Sequence, residues 1–208
     1  MPSHLPTSVT NKYDVFDFRH AAAILKSEFP TEFSEVCDVL NRFRFTEKQI
    51  RDPGGNESEI PKAFAQLLRP KGWEERVLNA KIVLDDEEVV SSDTHRIDFV
   101  KGHVAFDLEW NSKDQTFDRD LYAFRAFFDY GKISVGILVT RSTLLQVYFE
   151  TLGQYKDRYG TKRTVASKYG ASTTHMEKLI PRLKAGRSGG CPVLALGIRR
   201  ELLSTKNK

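Results

Sequence analysis

Apolar and polar residues alternate from His103 to Trp110. Val104, Phe106, Leu108 and Trp110 fall on one side, and Ala105, Asp107 and Glu109 on the other. A period of two is the pattern of a strand with one apolar face, and it gathers two carboxylates on the opposite face. Reading Lys101-Gly102 as a two-residue turn pairs Val100 with His103 and lays Asp98 across from Ala105. Asp98 then shares a face with Asp107 and Glu109, diagonally about 7 Å from Asp107. A bulge at the turn would shift this register, and a slip of one residue would send Asp98 to the other face. Three converging carboxylates repel one another and resist burial, a conflict that a divalent cation between them removes. A solvated edge hairpin produces the same alternation. The strongly apolar opposite face argues for the buried, metal-binding alternative.

Elsewhere the pattern is helical at first. Residues 18–29 and 31–43 read as two helices parted at Pro30, the second burying Val36, Leu40 and Phe43. Residues 46–60 form a polar loop around Asp52-Pro53-Gly54-Gly55-Asn56, and residues 1–17 precede the first predicted element. Pro61 opens an amphipathic helix with Phe64, Leu67 and Leu68 inward, ending near Pro70. A strand over 80–84 and the acidic turn Asp85-Asp86-Glu87-Glu88 lead to the carboxylate hairpin. Ser112 and Gln115 have capping-box spacing for a helix over 116–130, whose stripe is Phe117, Leu121, Phe124 and Phe128 and whose stop is Gly131. Its opposite face carries Asp118, Arg119, Tyr122 and Arg125. Residues 133–139 read as a central strand, partnered by 192–198. The expected fold class is α/β: a mixed central sheet flanked by helices, with the hairpin at one edge.

Composition limits the function classes. A chain of 208 residues can form a single domain, and no apolar run approaches the roughly 20 residues of a membrane span. Residues 1–13 lack the charged start and apolar middle of a signal peptide. Cys37 and Cys191 lie far apart without CxxC spacing, which points to a reducing, cytoplasmic compartment. The net charge of +4 is unevenly divided. Between Gln154 and Arg187, nine basic residues face Asp157 and Glu177 alone, giving 9 − 2 = +7 and leaving −3 for the rest. Tyr155, Tyr159 and Tyr169 interleave with these cations, as a surface facing a phosphate backbone requires. A solvated basic loop has the same composition. Beside an anionic metal cluster, residues 154–190 read as a DNA-binding segment.

At this point the residues carry a resemblance. Asp98 followed by Asp107-Leu108-Glu109 resembles the catalytic core of the PD-(D/E)xK nucleases. More narrowly, the chain resembles type II restriction endonucleases of the BglII/BstYI family. The matching stretches are residues 62–74, Ile97 to Glu109, Lys132 to Gly136 and Pro192 to Ile198, within a span from about Phe18 to Ile198. Two departures stand out. Ile97 replaces the motif's proline, and Glu109 occupies the third position, usually Lys in the superfamily and often Gln in this family. Glu109 therefore brings no fixed positive charge.

The resemblance implies a restriction-endonuclease-like fold, with 1–208 as one nuclease domain. It implies a Mg²⁺-dependent homodimer that cleaves both strands of a short palindrome in double-stranded DNA, in a prokaryotic cytoplasm. A cognate DNA methyltransferase of a restriction-modification pair would act on the same site. Asp98, Asp107 and Glu109 would be catalytic; Asp98, Asp107 and Leu108 would be the metal positions, and Glu109 would hold the attacking water. Glu59 or Glu74 is positioned to complete the cation shell, and Lys113 to supply the missing positive charge; each also reads as an ordinary surface residue. Sequence reading is assigned to Asn111, Lys113 and Asp114 after the strand, and to Ser172, Thr173, Thr174 and His175 in the small-polar loop 170–175. Thr174 with Glu177 also has capping-box spacing. Arg187 suits a phosphate or a guanine edge. A repair or junction-resolving nuclease of the same fold and a non-catalytic DNA-binding protein remain the other classes.

Overall fold

The computed structural model describes residues 4–53, 58–79, 81–83, 89–91 and 95–204. The chain begins with a short helix α1 (Thr7–Thr10) and strand β1 (Tyr13–Phe18), then helices α2 (Ala21–Glu28), α3 (Pro30–Arg42), α4 (Glu47–Arg51) and α5 (Glu59–Leu68). Strands β2 (Glu74–Leu78), β3 (Lys81–Val83), β4 (Val89–Ser91), β5 (His95–Lys101) and β6 (Val104–Glu109) follow, then helix α6 (Thr116–Asp129) and strand β7 (Val135–Arg141). Helix α7 (Leu145–Thr151), strands β8 (Gln154–Lys156) and β9 (Lys162–Thr164), helices α8 (Val165–Lys168) and α9 (Met176–Lys184), and strand β10 (Val193–Ile198) lead to a last short 3₁₀ turn, Arg200–Leu202.

Six strands form the central sheet in the order β1-β10-β7-β6-β5-β2. The pairs β10–β7 and β7–β6 are parallel; β1–β10, β6–β5 and β5–β2 are antiparallel. One face of the sheet carries Val104, Phe106, Leu108 and Trp110 with Ile137, Val139, Leu194 and Leu196, packed under α2, α3, α5 and α7. The other face carries Ala105, Leu138, Val193 and Ala195 beneath α6 and α9. Parallel strands covered on both sides need apolar residues at every position, and β7 and β10 have no exposed residue. The mixed sheet flanked by helices is therefore the expected α/β architecture.

Several expectations are corrected. The carboxylate hairpin is not at an edge, because β2 pairs outside it; the sequence of β2, with Glu74, Glu75 and Arg76 in a row, gives no alternation to read. Residues 1–17 contribute α1 and most of the edge strand β1. The polar loop 46–60 contains α4, opened by a full capping box between Thr46 and Gln49. Of that loop, Gly54 to Glu57 lie outside the described residues, as do Ala80, Leu84 and the acidic turn 85–88. The Ser112–Gln115 and Thr174–Glu177 boxes do not form: the N-cap residues of α6 and α9 are Gln115 and His175, and neither makes a side-chain cap. Pro181 sits inside α9, which ends one turn later. No helix among the described residues is long and apolar enough to cross a membrane.

Candidate active site

The hairpin turn consists of Gly102-His103, one residue later than expected. Lys101 pairs with Val104, Val100 with Ala105 and Phe99 with Phe106. Gly102 supplies the positive φ, 53°, that such a turn needs at its first central position. The residue opposite Asp98 in this register is Asp107 rather than Ala105. The change moves each pairing by an even number, so Asp98 stays on the face predicted for it.

A bulge lies beyond the paired region, against β2 rather than at the turn. Glu74 pairs with Val100 but Arg76 with Ile97, so Asp98 and Phe99 together oppose Glu75. The core records the same irregularity: Ile97 and Val100 both face α6, whereas Phe99 packs in the opposite cluster. Asp98, in the bulge, is exposed. Asp107 and Glu109 are covered by α6 and are only 4% and 7% exposed.

The carboxylates meet here. Asp98 lies across the hairpin from Asp107 on the same face, and burial, followed by the charges of Asp120, Asp98 and Glu109, holds Asp107 well above the ordinary carboxylate range. Burial also raises Glu109, opposed by hydrogen bonds to Ser112 and Asp120 and by Arg119. Asp120, only 2% exposed, is the member the sequence reading missed. Burial first, and the Glu109 charge second, push it up to about 8. Its Oδ1 accepts from Arg119 Nε and Nη2 at 3.1 and 2.9 Å, while Oδ2 meets no N–H or O–H donor. A proton on Asp120 facing the Glu109 carboxylate resolves that orphaned atom. Arg119 Nη2 also reaches Glu109 Oε1 at 3.4 Å. A signal for Asp120 was available: it follows Phe117 by three and precedes Phe124 by four, inside the apolar stripe.

Asp98 and Glu109 line a cavity of about 760 Å³. Glu59 is on its wall and Glu74 is not; the acidic residue of β2 that lines it is Glu75, 3.5 Å from Arg96. Neighbours on a strand point oppositely, which separates the two. Arg69, Arg96 and Lys168 bring positive charge to the same cavity. Lys168 Nζ donates to the carbonyls of Ile50 and Asp52, and burial pushes its amine down to about 8. Lys113 is exposed and does not line the cavity.

The two loops expected to read sequence form one unit. Lys113 bridges Thr173, Asp114 N donates to Ser172 O, and Thr174 N donates to Ser112 O. Beneath them the buried Arg141 donates to Trp110 O (2.8 Å) and Thr173 Oγ1 (2.6 Å), tying loop 170–175 to the end of β6. Lys113 and Ser172 are exposed, and Asn111, Asp114, Thr173 and His175 are half-buried. Thr174 is a correction: it is wholly buried, so its hydroxyl faces the interior rather than a groove. Arg187 is paired with Asp118, which Arg182 also holds at 3.0 Å, and it does not line the cavity.

The donor set fits a hard divalent cation. Among the described residues, no three Asp, Glu, His or Cys side chains are placed to hold a metal ion together. Mg²⁺ does not require three, being bound by one or two carboxylates with substrate phosphates and water. Asp98 and Asp107 are two such carboxylates, opposite one another on neighbouring strands. Leu108 buries its side chain in the core, leaving only its carbonyl as a donor.

No curated protein matches the chain. The family model for the restriction endonuclease BglII/BglIII matches residues 13–198, from the first residue of β1 to the last of β10. The six-stranded mixed sheet flanked by helices is consistent with a restriction-endonuclease-like fold. The chain belongs to the BglII/BglIII family of restriction endonucleases, nucleases that act on double-stranded DNA.

Proposed function

We propose that this protein is a type II enzyme of the PD-(D/E)xK kind, akin to BstYI as well as BglII, which cuts both strands of a short palindrome with Mg²⁺ as a homodimer. The observation that carries this reading is that Asp98 lies opposite Asp107 on one face of the hairpin, with Asp98 and Glu109 both lining the cavity. Carboxylates gathered on one face repel one another, and a cation between them removes that conflict. Asp98 and Asp107 would hold the cation, with the Leu108 carbonyl adjacent and Glu59 on the facing wall. When bound, it supplies charge neutralisation at the scissile phosphate and a lowered pKa for the attacking water. Glu109 orients that water by accepting a hydrogen bond from it, and takes its proton as the new P–O bond forms. The P–O bond to the departing strand breaks, and its oxygen takes a proton from solvent.

Base recognition falls to the paired loops, through Asn111, Lys113, Asp114, Ser172, Thr173 and His175. Arg141 links these contacts to β6, so a correct base contact and a correct carboxylate position share one support. Arg187 acts on a phosphate if it leaves Asp118. Cytoplasmic action beside a methyltransferase that modifies the same site completes the proposal.

Digestion of a plasmid of known sequence with Mg²⁺, followed by end mapping, tests it. The expected result is discrete double-strand ends at one palindrome, abolished in Asp98→Ala while duplex binding persists. Wild-type protein that never nicks DNA with Mg²⁺ or Mn²⁺ overturns the enzymatic reading, and cutting confined to branched or damaged DNA moves it to repair.

A further inference from the structure

We infer that Arg119, projecting from the first turn of α6, is a catalytic residue that binds the scissile phosphate and supplies the positive charge absent from position 109. The inference rests on the nuclease reading above. Glu109 adds negative charge where a strand lysine would add positive charge, and Asp120 adds another carboxyl to the group. The cation in contact with both is Arg119, at 3.4 Å from Glu109 and 2.9 Å from Asp120.

Three features separate this guanidinium from an ordinary surface ion pair. Its anchor is buried: Asp120 is 2% exposed, whereas the Arg119 side chain is 72% exposed. Burying a carboxyl inside the apolar stripe of a helix costs stability, and exposed pairs return little of it. Helix stability does not explain the position either, since a cation in the first turn opposes the helix dipole. Finally, the anchoring leaves donors over. Nε and Nη2 engage the carboxyls, and Nη1 has no partner among the described residues. A guanidinium held through Nε and Nη2, with the two N–H groups of Nη1 left over beside the carboxylates, suits charge-assisted donation to the phosphate oxygens. Asp120 is then a positioning residue, fixing the fork at the place where charge develops on the phosphate.

The test compares wild type with Arg119→Ala and Arg119→Gln, the latter keeping an N–H toward Asp120 without the charge. Single-turnover cleavage at saturating Mg²⁺ should fall about 100- to 1000-fold in both, as when one preorganised donor to a developing oxyanion is removed. Arg125→Ala, further along the same helix, should cleave at the wild-type rate. The second readout is metal-free binding of a duplex whose scissile phosphate, located by end mapping, is a neutral methylphosphonate. The affinity ratio of natural to neutral duplex should drop about tenfold from wild type to Arg119→Gln. An unchanged ratio overturns the inference, as does a rate defect that saturating Mg²⁺ abolishes, or an equal defect in Arg125→Ala. If Arg119→Ala fails to fold, Arg119→Gln alone carries both measurements. Wild type that does not cut at all refutes the nuclease reading, whereas wild type and Arg119→Gln cutting equally fast refute only this inference.

Discussion

Burial and three neighbouring carboxylates hold Asp107 well above the ordinary carboxylate range, and Asp120 is pushed up to about 8 by burial and Glu109. In the unfolded chain these groups ionise near pH 4. The folded state retains their protons at higher pH, so their contribution to stability is fully present below about pH 4. It is lost as pH rises toward the folded values, about 8 for Asp120. The metal-free protein should therefore lose thermal stability from about pH 5 to about pH 8. A divalent cation favours the ionised forms, so Mg²⁺ should raise Tm more at the higher pH; thermal melts with and without Mg²⁺ check both trends. Asp107→Asn puts a neutral group of the same shape there, so that folding above pH 4 no longer has to protonate this position. Near pH 8 and without metal it should gain about 1 kcal/mol, ~2–4 °C in Tm for a chain of this size, while plasmid cleavage disappears. A stabilised but inactive variant would show that the site is maintained against the interest of the fold. Among these residues, Asp98, Asp107 and Glu109 were legible because strand parity survives an even shift in register. Asp120 was hidden in a helical stripe read for its phenylalanines.

At the scale of elements, the position of α6 matters most, because it carries both Asp120 and Arg119. The helix packs tightly on the sheet at Gly136 of β7, where an added Cβ would lie 2.5 Å from the Phe124 ring. Gly136→Ala should cost about 1–3 kcal/mol through overpacking, measured by denaturant unfolding. By lifting α6 from β6, it should also slow cleavage more than the stability loss explains. The long periodic elements were readable from the chain: α6, β7 and β10 lie close to where their patterns place them. The turn at Gly102-His103, the bulge at Asp98-Phe99 and strand β2 were not readable, since each depends on pairing between strands rather than on the pattern within one. The pairing of loops 111–115 and 170–175 over Arg141 was unreadable for the same reason.

Across the whole molecule, positive charge is concentrated in residues 154–187 while the carboxylates cluster at the cavity. Strands β8 and β9 form a small hairpin with Tyr159 at its exposed tip and Arg158 stacked over that ring. Arg163 is neutralised by Asp157 at 2.8 Å, but Lys156, Arg158 and Lys162 have no carboxylate partner among the described residues. The hairpin is rooted at Arg51, whose Nη1 donates to Gln154 O, next to the cavity residue Asp52. Replacing these three cations by Gln should flatten the slope of log K against log salt by about 0.9 for each phosphate no longer neutralised, or roughly 2–3 in all. Cognate and non-cognate duplexes should be weakened alike, which equilibrium binding across a salt series measures.

Strand β10 also has a consequence for how the chain assembles. It fills the slot between β1 and β7, pairing Tyr13 with Ile198 and Val193 with Gly136. Strand β1 therefore has no neighbour in the sheet until residues from the far end of the matched span arrive. Contacts of such sequence separation slow folding, toward the millisecond-to-second range of topologies dominated by non-local pairing. Until the slot is filled, the apolar edge of β7 stands open to other chains, so aggregation during refolding is the hazard this topology carries.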